Sequence, residues 1–325
     1  MTAETGYYLD SFLAPLAPVL ARSDVTDIYV NRPNEIWIES LGGRIERQEV
    51  TGLAEPDLAR LARQIAAFGA QGINRSHPLL SATLPDGSRV QIAAPPATRG
   101  GHAMAIRRHI ASDMALADWA DSGAFSALTG GAEVEPFAGR THRMIAADEA
   151  ETVLRDAVLA RRNILVSGGT STGKTTFLNA LLAEVPMTER LILIEDAEEL
   201  RIAHPNAVGL IAVRGKLGEA DASAEDLLIA ALRMRPDRII LGELRGQEAF
   251  TFLRAVNTGH PGSITTIHAD SPHRAIEQLV LLVLQGGSPL RREDVRHYIL
   301  QSVDVFIQLE RRDGKRRVQQ IMMAE

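Results

Sequence analysis

Gly168-Gly169-Thr170-Ser171-Thr172-Gly173-Lys174-Thr175 decides the reading of this chain. The eight residues fit G-x-x-x-x-G-K-[ST]. The apolar run Ile164-Leu165-Val166 precedes them, and an apolar-faced segment follows them. Strand, glycine-rich turn and helix start, in that order, make a phosphate-binding loop. Glycines let backbone N–H groups close around phosphate oxygens, and the following helix presents its N-terminus to the anion. Lys174 is expected to reach the β- and γ-phosphates, and the Thr175 hydroxyl to ligate Mg²⁺. Thr176 completes the expected nucleotide-binding set. A glycine-rich turn with no ligand would need the four specified positions, Gly168, Gly173, Lys174 and Thr175, to match by coincidence in this strand-to-helix context.

Outward from this loop the chain alternates. Helix Ala150–Ala160 precedes strand Ile164–Ser167, and helix Lys174–Glu184 precedes strand Arg190–Glu195. Helix Ala224–Met234, strand Arg238–Leu241, helix Gln247–Asn257, strand Ser263–Ile267 and helix Pro272–Gln285 continue the series. Alternation of this kind implies a parallel sheet with helices on its faces. Ser223 with Asp226 reads as a capping box, and Ser271-Pro272 as an N-cap followed by proline. A hairpin, Val303–Leu309 and Arg317–Met322 around Asp313-Gly314, closes the chain.

The first half reads differently. Asp27–Val30, Glu35–Glu39, Arg44–Val50, Leu79–Leu84 and Ser88–Ala93 are strand-like, with Pro85-Asp86-Gly87 a tight turn. Leu58, Leu61, Ile65 and Phe68 recur at helical spacing within Pro56–Ala70. An antiparallel α+β domain is expected. Gly130, Gly131, Pro136 and Gly139 interrupt any periodicity between Gly130 and Ala147. The expected organisation is therefore an N-terminal α+β domain at 1–129, a linker at 130–147 and an α/β domain at 148–325.

Three further segments carry candidate chemistry. Arg238–Glu243 (RIILGE) is a buried strand ending in an acid, where α/β sheets place their sites. Glu243 is expected to accept a proton from an attacking water or to orient it. Gly242 stands where a metal-holding aspartate would precede it, so the metal's second carboxylate must come from elsewhere. Leu191–Ile194 ends in Glu195-Asp196, and either acid is a candidate for Mg²⁺. Glu198 and Glu199 are expected in a solvated turn or helix start. His268 ends the strand Ser263–Ile267, where a histidine can sense a γ-phosphate or contact a neighbouring subunit. A lone histidine is more often structural.

Composition narrows the classes. The 325 residues carry 45% apolar and 23% charged residues, a globular mixture. Net charge is −6 and aromatics are 4%, which disfavours a nucleic-acid translocase built on stacking and phosphate tracking. Zero cysteines exclude a disulfide framework and a zinc ribbon, and fit a reducing compartment. The six-residue apolar run Leu279–Leu284 is far short of the roughly 20 residues a membrane span requires. MTAETGYYLDSFLAPLAPVL has no basic flank, so a secretory signal is not expected.

Four segments give the chain its resemblance to the secretion ATPases of the type II/type IV traffic superfamily. They are SGGTSTGKTTFLNALL, RLILIEDAEELRIAHPN, LRMRPDRIILGELRGQEAF and NTGHPGSITTIHADSP, in the family's order. SDVTDIYVNRPNEIWIE and LLSATLPDGSRVQIAAPP are similar to the family's N-terminal domain. The match is closest to the hexameric ATPase of bacterial type IV secretion. The resemblance implies a RecA-like, parallel-sheet ATPase domain behind a smaller antiparallel α+β domain, and ATP hydrolysis with Mg²⁺. It implies a homo-hexamer at the cytoplasmic face of the inner membrane. The implied partners are inner-membrane channel components and a coupling ATPase, with peripheral membrane association and no sequence-specific nucleic-acid binding. It gives Arg107 and Arg108, at a strand end after Met104-Ala105-Ile106, as arginines reaching the phosphates, with Arg140 and Arg143 as alternatives. Pilus assembly or retraction is the rival role within the superfamily. The four-cysteine form of its type II and pilus members is excluded.

Overall fold

The structure is a computed structural model. It describes residues 9–108, 114–130, 133–137 (backbone only), 140–212 and 222–325. The first eight residues, on which part of the signal reading rests, and residues 131–132 and 138–139 of the expected linker lie outside the described residues.

Two compact units divide the chain. The first holds residues 9–108. After the helical turn α1 (Ala17–Leu20) come β1 (Val25–Arg32), β2 (Glu35–Ser40), β3 (Ile45–Glu49), α2 (Glu55–Phe68), β4 (Leu79–Thr83), β5 (Arg89–Ala93) and β6 (Ala103–Arg107). Its six strands form one sheet in the order β3-β2-β1-β6-β5-β4, with every pairing antiparallel. β2 alternates between buried and half-buried residues, the pattern of a sheet with one covered face. The covering element is α2. It buries Leu58, Leu61, Ala62, Ile65 and Ala66, all on one stripe, against Ile28, Ile36, Ile38 and Ile92. Pro56 and the acids Glu55 and Asp57 occupy its first turn, where a missing N–H and negative charge are favoured.

The second unit holds residues 114–212 and 223–325. Its elements are α3 (Leu116–Asp121), β7 (Glu133–Phe137), β8 (Arg140–Met144), α4 (Ala150–Leu159), β9 (Ile164–Gly168), α5 (Lys174–Ala183), β10 (Leu191–Glu195) and β11 (Ala207–Ile211). They continue with α6 (Ala224–Ala231), β12 (Arg238–Leu244), α7 (Glu248–Asn257), β13 (Ile264–Ile267), α8 (Pro272–Gln285), α9 (Arg292–Ser302), β14 (Val305–Arg312) and β15 (Lys315–Ala324). Nine strands form one sheet, β11-β10-β12-β13-β9-β14-β15-β8-β7. The pairings from β11 to β14 are parallel, and β15, β8 and β7 add an antiparallel edge. Alternate residues of the central strands feed two separate cores. Ile164, Val166, Leu191 and Leu193 pack on one face. Leu165, Ile192, Ile194 and Leu241 pack on the other. That division is why these strands read as unbroken apolar runs.

The caps expected at Ser223 and Ser271 are present. Arg238, fully buried, donates through Nε to Glu189 at 2.7 Å and through Nη1 to the Val158 carbonyl at 2.7 Å. A buried cation needs such a set of acceptors.

The segment expected as an irregular linker contains β7 and β8 instead. β8 pairs with β15 through Met144, Arg143 and His142. Its glycines and proline hid the strands, whose stability comes from β15, remote in sequence. Trp119 of α3 is buried edge-on against Phe177 of α5, with ring centroids 4.9 Å apart, so residues 114–130 pack in the second unit. Among the described residues no helix is long and apolar enough to cross a membrane.

Candidate functional site

β9 delivers the chain to Gly168 in the middle of the second sheet, and α5 leaves at Lys174. Two glycines are dictated by space and torsion. A Cβ on Gly168 would lie 2.5 Å from Thr172 Oγ1 and 3.1 Å from the Leu309 carbonyl, so the loop can fold onto β14 only without one. Gly173 has φ +93°, a left-handed conformation that glycine adopts at no steric cost. The Thr172 hydroxyl closes the loop by donating to the Gly169 carbonyl at 2.9 Å. Thr170 and Ser171 form the tip between these anchors, Ser171 at φ 60°. Gly168, Gly169, Thr170, Ser171, Thr172, Gly173, Lys174, Thr175 and Thr176 thus form one turn ending in a helix N-terminus, the geometry expected of an anion cradle.

The first turn of α5 sends three consecutive side chains to three different groups. Lys174 Nζ donates to the Gly168 and Gly169 carbonyls at 3.0 and 3.1 Å. It also lies 3.2 Å from His268 Nδ1 and 4.0 Å from Glu243 Oε1. The Thr175 hydroxyl donates to Glu199 Oε2 at 2.9 Å. Thr176 Oγ1 accepts from Arg316 Nη1 at 3.3 Å.

Glu243 and His268 come from the ends of β12 and β13, adjacent parallel strands. Glu243 Oε2 accepts from Arg245, which also donates to Asp196 Oδ2 at 2.8 Å. His268 Nε2 is 2.9 Å from Glu243 Oε1 but off the hydrogen-bonding direction, so this buried oxygen has no aligned donor among the described residues. Burial holds the His268 pKa below the usual histidine value. The Glu243 charge opposes this, and Lys174 and Arg245 reinforce it. A neutral ring that accepts from Lys174 at Nδ1 carries its proton on Nε2.

Not every expected residue joins this cluster. Glu195 is buried, and its Oε2 accepts from the Glu199 and Leu200 amides at 2.8 and 2.9 Å. It ties down the turn after β10 and is thereby committed to backbone. Asp196 is paired with Arg245. The carboxylate that meets Thr175 is Glu199, expected in a solvated turn. Its position depends on the bend that Glu195 caps, which strand and helix periodicity do not reveal. Arg245 was likewise missed, although it lies within the LRMRPDRIILGELRGQEAF segment.

Arg107 and Arg108 belong to the first unit. Arg107 Nε pairs with Asp27 at 3.0 Å, and Arg108 donates to the Arg22 carbonyl. Arg140 pairs with Asp304 at 2.7 Å and Arg143 with Glu149 at 2.7 Å, so both brace β8 against neighbouring elements.

The donor set suits a hard cation that arrives with phosphate. Among the described residues no group of three or more His, Cys, Asp or Glu side chains could cage a metal. The Thr175 hydroxyl, the Glu199 carboxylate and the undirected Glu243 Oε1 are oxygen ligands of the kind Mg²⁺ takes, directly or through its waters.

Residues 141–321 match the family described as Type II/IV secretion system protein. The chain is 38% identical over 324 residues to the type IV secretion system protein VirB11 of Bartonella henselae, covering 95% of this chain and 91% of that one. The crystal structure of the VirB11 ATPase from the Brucella suis type IV secretion system, in complex with sulphate, is similar at 35% identity. It covers 96% of both chains with a TM-score of 0.50. The pilus retraction motor PilT with bound ADP shares the fold at 21% identity and TM-score 0.61, over 98% of this chain and 83% of that one. Its phosphate-loop motif, the acid and histidine at adjacent strand ends, and these matches along nearly its whole length place the chain in the type II/IV secretion system protein family.

Proposed function

We propose that the chain is a Mg²⁺-dependent, RecA-like ATPase that works as a homo-hexameric motor of a bacterial type IV secretion system, energising its assembly or the passage of substrate. One observation carries the catalytic part. A buried carboxylate oxygen, Glu243 Oε1, lacks an aligned donor 4.0 Å from the loop lysine. A water between that oxygen and a γ-phosphate would be polarised by Glu243, which accepts its proton while phosphate leaves ADP. Arg245 fixes the other oxygen of Glu243 and so holds the carboxylate in position. His268, neutral and sharing the Lys174 ammonium, is suited to report whether a γ-phosphate has drawn Lys174 away. The loop amides and Lys174 bind the phosphates, and Thr175 with Glu199 would hold Mg²⁺. When bound, the ion supplies charge neutralisation on the β- and γ-phosphates. Arg107 and Arg108 remain our assignment for additional cations on the developing charge.

The secretory role rests on the 38% identity to a type IV secretion system protein over 95% of the chain. In this reading the motor works at the cytoplasmic face of the inner membrane, with channel components and a coupling ATPase as partners. The test is phosphate release from ATP by the purified protein with and without Mg²⁺, beside Lys174→Ala. Turnover that survives the substitution sinks the loop assignment. Light scattering at micromolar protein with Mg²⁺ and a non-hydrolysable ATP analogue should report six subunits. A persistent monomer counts against the ring.

A further inference from the structure

β14 and β15 meet in the hairpin Arg311-Arg312-Asp313-Gly314-Lys315-Arg316-Arg317, whose register sets Arg311 directly opposite Arg316. Directly opposed like charges on one face of an antiparallel pair are destabilising. Arg316 is the partly buried member, and among the described residues no carboxylate lies within ion-pairing distance of it. Among the described residues its guanidinium donates one hydrogen bond, to Thr176 Oγ1 at 3.3 Å. A Cβ built on Gly173 would fall 2.8 Å from Arg316 Cδ and 3.4 Å from Trp119 Cη2, so the arginine stem lies along the last glycine of the phosphate loop. Burial, and secondarily the Arg311 charge, hold the Arg316 pKa below its ordinary value, which marks a cation short of compensation.

We infer that Arg316 is a nucleotide-binding residue whose guanidinium contacts the phosphate chain at its nucleoside end, where ADP and ATP are identical. This rests on the reading of 168–176 as the nucleotide loop. Lys174 faces Glu243 and His268, and Thr175 faces Glu199, so hydrolysis belongs to that side of the turn. Thr176 and Arg316 lie on a different side of the same turn, one residue further from the lysine. A guanidinium there matches phosphate oxygens with two donors, which an ammonium cannot do. It strengthens ground-state binding of diphosphate and triphosphate equally and does not act on the transferring group. Gly173 is required for a second reason on this view, because any side chain there would displace the arginine.

Calorimetric titration of the full-length protein with ADP and with a non-hydrolysable ATP analogue tests this. Wild type, Arg316→Ala, Arg316→Lys and Lys174→Ala are compared. Arg316→Ala is expected to weaken both nucleotides by the same factor, about tenfold, the usual worth of a hydrogen bond to a charged group. Arg316→Lys recovers part of the loss. The melting temperature without nucleotide does not fall. Unchanged ADP affinity in Arg316→Ala, or a loss confined to the ATP analogue, overturns the inference. So does a lowered melting temperature with nucleotide affinity intact, which would make Arg316 a brace of the hairpin. Lys174→Ala separates the two readings. If it binds both nucleotides like wild type, the loop assignment itself has failed. If it loses affinity while Arg316→Ala does not, only the role of Arg316 is lost.

Discussion

The Thr175 hydroxyl donates to Glu199 Oε2 across 2.9 Å, joining the first turn of α5 to the turn that follows β10. Glu195, four residues earlier, accepts the Glu199 and Leu200 amides that shape this turn. One acid therefore positions the other, and their substitutions should differ in kind. Glu199→Gln is expected to raise the Mg²⁺ concentration needed for half-maximal ATPase activity by about tenfold or more, the usual effect of disturbing a residue beside a metal ligand. Its melting temperature should match wild type. Glu195→Ala strands two backbone amides, that of Leu200 buried and that of Glu199 partly so, and is expected to cost about 1–3 kcal/mol of stability. Thermal melts beside Mg²⁺ titrations check both, and a Glu199→Gln protein with unchanged Mg²⁺ dependence removes Glu199 from the metal site.

Glu243→Gln keeps the shape of the side chain and an acceptor for Arg245, but an amide cannot take a proton. Nucleotide binding should persist while phosphate release falls by about 10²-fold or more, the worth of a positioned general base. If hydrolysis is normal, another group accepts the proton. Glu199 is then the next to test, because Glu195 Oε2 already accepts two backbone amides.

The signals that were legible in the sequence are local ones. The loop 168–175 is a contiguous motif. β9, β10 and β12 are apolar runs, and Ser223 and Ser271 are caps within three residues of their partners. What was not legible depends on contacts between distant residues. β7 and β8 exist because β15 is available to pair with β8, some 180 residues away in sequence. The choice of Glu199 over Glu195 depends on which acid the turn after β10 consumes. Arg316 reaches Thr176 across 140 residues, and nothing in the KRRV tetrapeptide distinguishes it from Arg317.

His142 of β8 is fully buried beside Phe306, and among the described residues neither ring nitrogen has an aligned hydrogen-bond partner. Burial pushes its pKa below the usual histidine value. The Arg140 charge adds to that, while a backbone contact at Arg140 and the Asp304 charge oppose it. The sign follows. Between the lowered folded pKa and the unfolded value near 6.5, the unfolded chain binds more protons, so stability falls as pH falls. The contribution is fully present above about pH 6.5 and is lost toward the folded pKa, at no more than about 1.4 kcal/mol per pH unit. His142→Leu should therefore show a flatter melting temperature between pH 7 and pH 5 than wild type. A difference between the two proteins that does not change with pH would show that His142 does not titrate in this window.

Arg107 and Arg108 lie at the end of β6, and the effect of removing them separates two roles. Arg107 is half exposed while its partner Asp27 is buried. If the pair only braces β1 against β6, Arg107→Ala with Arg108→Ala costs stability, about 1 kcal/mol for such a partly exposed ion pair. Turnover per folded molecule would not change. If the arginines reach the nucleotide, the loss should fall on chemistry. Lys174, the loop amides and Mg²⁺ would already neutralise the ground-state phosphates. A further cation then adds most where charge develops during transfer. Arginines supplied in this way are worth roughly 10³-fold or more in rate. The expected result is a large fall in kcat with little change in ATP affinity, read by steady-state hydrolysis beside fluorescent-nucleotide titration. Equal kcat removes both residues from the site and leaves them as braces of the antiparallel sheet. A loss confined to affinity makes them ground-state binders. Asp27→Asn is the control, because it breaks the same pair but keeps both cations. If its kcat matches wild type while the double variant's collapses, the arginines act through their charge on the nucleotide and not through their bond to β1.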